Sequence, residues 1–214
     1  MRPIFITGIG TGVGKTIVSA IVTEALCADY WKPVQAGLDG TDSLIVKDLI
    51  SNKQSVIHPE LYKLNTPASP HIAARIDNLE ISFSAIRQQL DSTNTNGKSL
   101  IIEGAGGLLV PLTDKLMVAD LIRMLNARVI LVSRNYLGSI NHSLLTAAYC
   151  RTNNIDVAGW IFNDDYMNYE SEIMNWSGYP SLASVRKLSV VSKQTVLAEA
   201  DRIKETLISQ IDLP

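Results

Sequence analysis

Residues 4–16 read Ile4-Phe5-Ile6-Thr7-Gly8-Ile9-Gly10-Thr11-Gly12-Val13-Gly14-Lys15-Thr16. Ile4-Phe5-Ile6 is a short apolar run with β-branched character, ended by Gly8, and it reads as a buried strand. Four of the chain's 13 glycines fall within residues 8–14, and Thr16 to Cys27 then reads as a helix. A strand, a glycine loop and a helix in that order form a cradle. Backbone N–H groups converge there on phosphate oxygens, helped by the helix N-terminus. Lys15 supplies a charge for β- and γ-phosphates, and Thr16 a hydroxyl for Mg²⁺. Gly8-x5-Gly14-Lys15-Thr16 is one residue longer than the strict phosphate-loop pattern, because Ile9 stands where glycine is expected. An ordinary glycine-rich turn or a dinucleotide site leaves Lys15-Thr16 unexplained.

Outward from this stretch, strand and helix patterns alternate to the end of the chain. Apolar runs recur at 99–102, 128–132 and 157–162. Continuous apolar strands imply a sheet covered on both faces, hence parallel pairing. Ser82 suits a helix N-cap, with Phe83, Ile86 and Leu90 on one face. Met117, Leu121, Met124 and Leu125 make a second apolar stripe. Leu144, Leu145, Ala148 and Tyr149 make a third, stopped by Asn153-Asn154. Val196, Ala200, Ile203 and Leu207 make the last. Asp91 to Lys98 is a polar loop. The pattern predicts a doubly wound, mostly parallel α/β sheet with a phosphate loop, in one domain spanning 1–214.

Composition removes several classes of function. The 214 residues can bury roughly 70% of the surface the unfolded chain exposes. Lys plus Arg number 19 against 21 Asp plus Glu, a net charge of −2, which gives no global reason to bind nucleic acid or an acidic membrane. Cys27 and Cys150 are too few for a disulfide framework, and both read as buried free thiols in helices. The apolar run at the N-terminus is too short for a signal peptide. Ser19, Thr23 and Glu24 break the apolar stretch 17–28, so it cannot span a bilayer. A reducing cytoplasm fits these observations.

Other residues are candidates with plain alternatives. Lys32, in Lys32-Pro33-Val34-Gln35-Ala36-Gly37, sits where ligands meet an α/β sheet, although alone it reads as a solvated lysine. Asp42 alone reads as an N-cap carboxylate. Glu103 closes an apolar strand before Gly104-Ala105-Gly106-Gly107, and an acid there needs a partner or a metal. It reads as a Mg²⁺ ligand of the Walker-B kind, with a capping acid as the plain alternative. Ser69-Pro70-His71 reads as a turn, His58 as loop, and His142 as lying near a helix start. Asn163-Asp164 ends a strand, where an amide can read a purine edge or begin a turn. The three His and two Cys show no zinc-ligand spacing.

Six motifs occur in order: Gly8-x5-Gly14-Lys15-Thr16, Lys32-Pro33-Val34, Ser69-Pro70-His71, Glu103-Gly104-Ala105-Gly106-Gly107, Leu137-Gly138-x-Ile140-Asn141-His142 and Ala158-Gly159-Trp160-x-x-Asn163. Together they resemble the dethiobiotin synthetase family over nearly the whole chain. The resemblance implies a homodimeric enzyme with active sites at the interface. It implies ATP- and Mg²⁺-dependent closure of the ureido ring of dethiobiotin from 7,8-diaminopelargonic acid and CO₂. The implied path runs through a carbamate and a carbamic–phosphoric anhydride, releasing ADP and phosphate.

The resemblance also assigns residues. Gly12, Val13, Gly14, Lys15, Thr16 and Ile17 are the phosphate-holding segment. Thr16, Asp42 and Glu103 are the Mg²⁺ set. Lys32 matches the catalytic lysine, beside Lys15. Glu103, Gly104, Ala105, Gly106, Asn163 and Asp164 match nucleotide-contacting positions. Thr11, Ala36 and the loop Gly138-Ser139-Ile140-Asn141 match positions that meet the diamine, the last across the dimer. Some positions depart from the family pattern. Gly12 stands where many members carry Glu, Ala36 replaces Ser or Thr, and Tyr136 stands where lysine can occur. Residues 182–186 replace a Leu-Gly-x-Ile-Pro segment beside the nucleobase. Two rivals share the phosphate loop. An amidotransferase-like ligase needs a glutamine-hydrolysing domain that 214 residues cannot hold. A partition-type ATPase carries an extra lysine where Gly10 and Thr11 stand.

Overall fold

The computed structural model describes residues 2–211; Met1 and residues 212–214, part of the expected domain, lie outside them. The first half of the chain forms β1 (Ile4–Gly8), α1 (Lys15–Leu26), β2 (Asp29–Trp31), β3 (Val34–Ala36), α2 (Asp42–Leu49), β4 (Ile57–His58), β5 (Tyr62–Leu64), α3 (Pro70–Ile76) and α4 (Phe83–Ser92). The second half forms β6 (Leu100–Gly107), α5 (Val118–Met124), β7 (Arg128–Arg134), α6 (Ser139–Thr152), β8 (Val157–Asn163), α7 (Glu170–Ser177), β9 (Ser181–Val185) and α8 (Lys193–Gln210).

Seven strands pair in parallel in the order β4-β2-β6-β1-β7-β8-β9, and β3 and β5 form a separate parallel pair. From β1 the chain winds outward to β2 and β4, returns through β6, and then winds the other way through β7, β8 and β9. The reversal places the ends of β1 and β6 side by side, where open α/β sheets bind ligands.

Each face carries its own core. On one face Val18, Ile21 and Val22 of α1 meet Val46 of α2 and Val196, Ile203 and Leu207 of α8. On the other, Ala73, Ile86, Leu121, Ile122, Ala147 and Ile173 from α3 to α7 pack over Phe5, Ile102, Leu131 and Phe162. Ser82 caps α4, its Oγ accepting from Ala85 N at 3.3 Å. No helix among the described residues is long and apolar enough to cross a membrane.

Several expectations are corrected. Helix α6 buries Ser139, Ser143, Ala147 and Cys150 rather than the leucine stripe, and Leu145 and Ala148 are exposed. The face chosen from hydropathy alone is outward, while Ser143 and Ser133 satisfy each other inside at 3.0 Å. Cys27 is half-buried in left-handed conformation just past α1 rather than buried within it. Thr41, not Asp42, caps α2, its Oγ1 accepting from Leu44 N. Pro70 begins α3, so Ser69-Pro70-His71 starts a helix and is not a free turn. His58 lies in edge strand β4 beside Asp29.

Asp29 ties that edge to the sheet. It is fully buried, accepts from Val56 N at 2.8 Å, and ion-pairs with Lys98. Asp29→Ala strands the Val56 N–H and removes the ion pair, leaving Lys98 only Gln54 O. It is expected to destabilise the fold by about 2 kcal/mol, measured by urea unfolding, with the slope unchanged.

Candidate active site

The loop between β1 and α1 closes on Gly14, which is left-handed at φ 90°. A Cβ there would lie 2.0 Å from Asn163 Nδ2. The residue before Lys15 is therefore glycine for two reasons, conformation and room. Asn163, at the end of β8, donates to Val13 O at 2.9 Å and fastens the loop to the sheet. Lys15 is 8% exposed, and its Nζ donates to Gly10 O at 3.0 Å, so it arches over the loop.

Thr16, the second residue of α1, places its hydroxyl between two acids. Oγ1 lies 2.9 Å from Asp42 Oδ1 and 3.1 Å from Glu103 Oε1. Asp42 arrives on the first turn of α2, where its backbone N–H donates to Gln35 Oε1. Glu103 arrives from inside β6, opposite Ile6 of β1. Lys32, directly after β2, completes the group. Its Nζ is 2.6 Å from Asp42 Oδ2 and 3.5 Å from Glu103 Oε1, and it donates to Gly104 O at 3.3 Å. Lys32 is 4% and Glu103 1% exposed.

Burial acts differently on the two lysines. For Lys15 it is the dominant influence and holds the ammonium below its ordinary range. For Lys32 burial is also the largest single influence and would lower it, but Glu103 and Asp42 together outweigh it and hold it above that range. Burial and the Glu103 charge push the Tyr30 phenol, which donates to Glu103, well above its ordinary value. Two carboxylates and a hydroxyl are hard oxygen donors of the kind that Mg²⁺ takes from protein. Asp42, Glu103 and Thr16 bring three such oxygen donors together.

A cavity of about 700 Å³ opens over this group. Thr11, Gly12, Gly14, Lys15, Thr16, Ile17, Lys32, Ala36, Asp42, Glu103, Ala105 and Gly106 all line it. Val13 and Gly104 do not. Val13 is buried in the core, and both lend only carbonyls to the site. Asp164 turns away from the cavity in left-handed conformation and faces Arg134.

Gly138-Ser139-Ile140-Asn141 is not a loop but the N-cap and first turn of α6, and it does not reach the cavity of its own chain. His71 faces a separate cavity, and His142 meets the Tyr136 hydroxyl at 2.6 Å. The sequence reading missed Gln35, whose Nε2 donates to Ala36 O and Gly37 O and shapes the approach to Asp42. It also missed Pro67, Ala68 and Val110 in the cavity wall. Packing of segments distant from the phosphate loop brings Pro67, Ala68 and Val110 in.

Comparison with known proteins bears on this arrangement. A family model described as an AAA domain matches residues 2–204. The ATP-dependent dethiobiotin synthetase BioD of Cytophaga hutchinsonii is 51% identical over 205 residues, covering 95% of this chain and 97% of that one. Its counterpart from Christiangramia forsetii is 46% identical, covering 95% and 96%.

The chain belongs to the dethiobiotin synthetase family.

Solved structures support the fold. A ParA family ATPase from Chlorobium tepidum superposes with a TM-score of 0.60 at 13% identity, over 97% of this chain and 96% of that one. MinD from Aquifex aeolicus does so at 0.60 and 12%, over 96% and 98%. At such identities the likeness is one of architecture. Within the synthetase family this chain keeps its phosphate loop close to strand β8, and the Gly14–Asn163 approach makes that closeness testable. Gly14→Ala is expected to destabilise by about 2 kcal/mol through strain and overlap. Adding Asn163→Ala removes the overlap alone, so thermal melts of the double variant should recover part of the loss, a non-additive result.

Proposed function

We propose that this chain, as one domain spanning residues 1–214, closes the ureido ring of dethiobiotin from 7,8-diaminopelargonic acid, CO₂ and ATP. The observation that carries this reading is the group formed by buried Lys32 and Glu103 with half-buried Asp42 and Thr16 beneath the phosphate loop, in a chain of this family. Thr16, Asp42 and Glu103 would hold Mg²⁺. When bound, the ion neutralises charge on the β- and γ-phosphates and on the leaving ADP.

The chemistry needs an amine of the diamine as a carbamate. A carbamate oxygen then forms a bond to the γ-phosphorus as the bond to ADP breaks. The second amine attacks the carbamic carbon, phosphate departs with that oxygen, and the ring closes with loss of protons from the attacking nitrogen. The phosphoryl step brings two anions together, and cations must stand between them. Lys15, arched over the loop, suits the triphosphate. Lys32, held charged by two acids, suits the space where carbamate and γ-phosphate meet. A cation fixed in a site of low exposure is already oriented when charge develops, which is where such groups act most strongly.

Substrate contacts remain for Thr11, Ala36 and the segment Gly138 to Asn141. Because that segment does not reach its own chain's cavity, a second copy must supply it, which supports a homodimer with shared sites. Leu145 and Leu109 are exposed at 62% and 55% beside the phosphate loop, and Leu137, just before α6, is exposed at 85%. His142 and Leu145 share a cleft there with Ile9 and Gly107. An apolar surface of this kind suits a partner copy.

ADP release that requires the diamine and bicarbonate together, with a product of dethiobiotin mass, is the expected result. ADP release stimulated instead by DNA or lipid would overturn the reading. Lys15→Ala and Lys32→Ala are expected to lose turnover by ~10²–10³ or more while still melting cooperatively, Lys32→Ala at a lower temperature because Glu103 loses its cation. Near-normal turnover of Lys32→Ala removes that lysine from the mechanism. Mixing unfolded-and-refolded Lys32→Ala with Asn141→Ala chains should regain turnover that neither has alone, because mixed dimers then hold one intact site. No recovery would place both residues in one subunit's site.

A further inference from the structure

Tyr30 belongs to none of the motifs above, yet it is a fully buried polar side chain that touches the site. It lies at the middle of β2, paired with Ile101 of β6. Glu103 is two residues beyond Ile101, so its side chain leaves the sheet on the same face as Tyr30. The phenol therefore reaches its diagonal neighbour, and its Oη donates to Glu103 Oε2 at 2.9 Å. The other carboxylate oxygen, Oε1, faces Thr16 Oγ1 at 3.1 Å and Lys32 Nζ at 3.5 Å.

We infer that Tyr30 is a positioning residue: by holding Oε2, it aims Oε1 of Glu103 alone toward Thr16 and Lys32 and sets the affinity of the site for Mg²⁺. This rests on the proposed role of Glu103 as a Mg²⁺ ligand. A carboxylate turns readily about its last bond. Without a donor on Oε2, Glu103 is free to rotate both oxygens toward Lys32 and thereby present a different face to the cation. Tyr30 sits on parallel strands, fully buried in the apolar cluster that also holds Ile101 and the inner face of α1, so its hydroxyl is fixed in place by the core. Partners of this second rank commonly change metal affinity 10- to 100-fold when removed.

The test uses the full chain and Tyr30→Phe, which keeps the ring and removes the donor. Calorimetric titration of ADP, first in chelator and then at rising Mg²⁺, separates nucleotide binding from metal binding. The expected result is ADP affinity in chelator within about twofold of the parent, with the Mg²⁺ concentration for half-maximal tightening raised about 10-fold or more. Turnover lost at low Mg²⁺ should return at high Mg²⁺. A lowered melting temperature with unchanged Mg²⁺ dependence shows a structural role only and overturns the proposal. If Tyr30→Phe does not fold, Tyr30→Met, which also lacks a donor, carries the same expectation. Glu103→Gln is the companion. If it leaves Mg²⁺ dependence at the parent level, the reading of Glu103 falls. If it abolishes that dependence while Tyr30→Phe keeps it, only the inference about Tyr30 falls.

Discussion

The contact between the Lys32 ammonium and the carboxylates of Asp42 and Glu103 is the constraint around which the molecule is arranged. Glu103 is almost wholly removed from water, and an ionised acid in that position costs several kcal/mol unless a cation answers it. Lys32 is that cation, and it is equally buried. Neither can be changed alone without leaving the other's charge uncompensated. Three elements far apart in the chain must therefore arrive together: the end of β2, the start of α2 and the middle of β6. The sheet brings the first and third as direct neighbours, and Gln35 holds the backbone of the second.

The same arrangement explains why the site lies at the end of the sheet rather than on a face. Both faces are closed by helices over two apolar clusters, so the site opens toward one end of the sheet, where β6 loses its cover from Ala105 onward and Glu103 lies just inside. At the reversal between β1 and β6, one strand contributes a glycine loop and the other an acid and a glycine run. Burial lowers Lys15 while two acids raise Lys32. Two lysines in one cavity are thus given different proton affinities by the balance of burial against neighbouring acids.

The parts of this structure that were legible in the sequence are those with local causes. Gly8 to Thr16 announced itself because turn, loop and helix start are consecutive. Glu103 was legible because an acid closing an apolar run is anomalous whatever surrounds it. The stripe of α8, Val196, Ala200, Ile203 and Leu207, was read correctly because one uninterrupted core covers it. Helix α6 was misread because hydropathy cannot distinguish a leucine that faces the core from one left outside. Its small buried residues, Ser143 and Ala147, carry no strong apolar signal. Thr41 displaced Asp42 as the cap because Lys32 claims the acid from 10 residues away in sequence, outside any capping pattern. Tyr30 was invisible because its partner Glu103 is set by strand register, which no window along the chain contains; the partners of Gln35 lie within seven residues, but nothing in a glutamine's identity announces them.

The bond from Asn163 to the carbonyl of Val13 joins positions 150 residues apart. During synthesis the N-terminal loop emerges first, but the side chain that steadies it is among the last third of the chain to leave the ribosome. Strand β1 likewise waits for β6 and β7, its two sheet neighbours, neither of which is close to it in sequence. A nascent or truncated chain ending before β8 therefore has the glycine-rich segment without its anchor, and competence to grip a triphosphate arises only once nearly the whole polypeptide has docked.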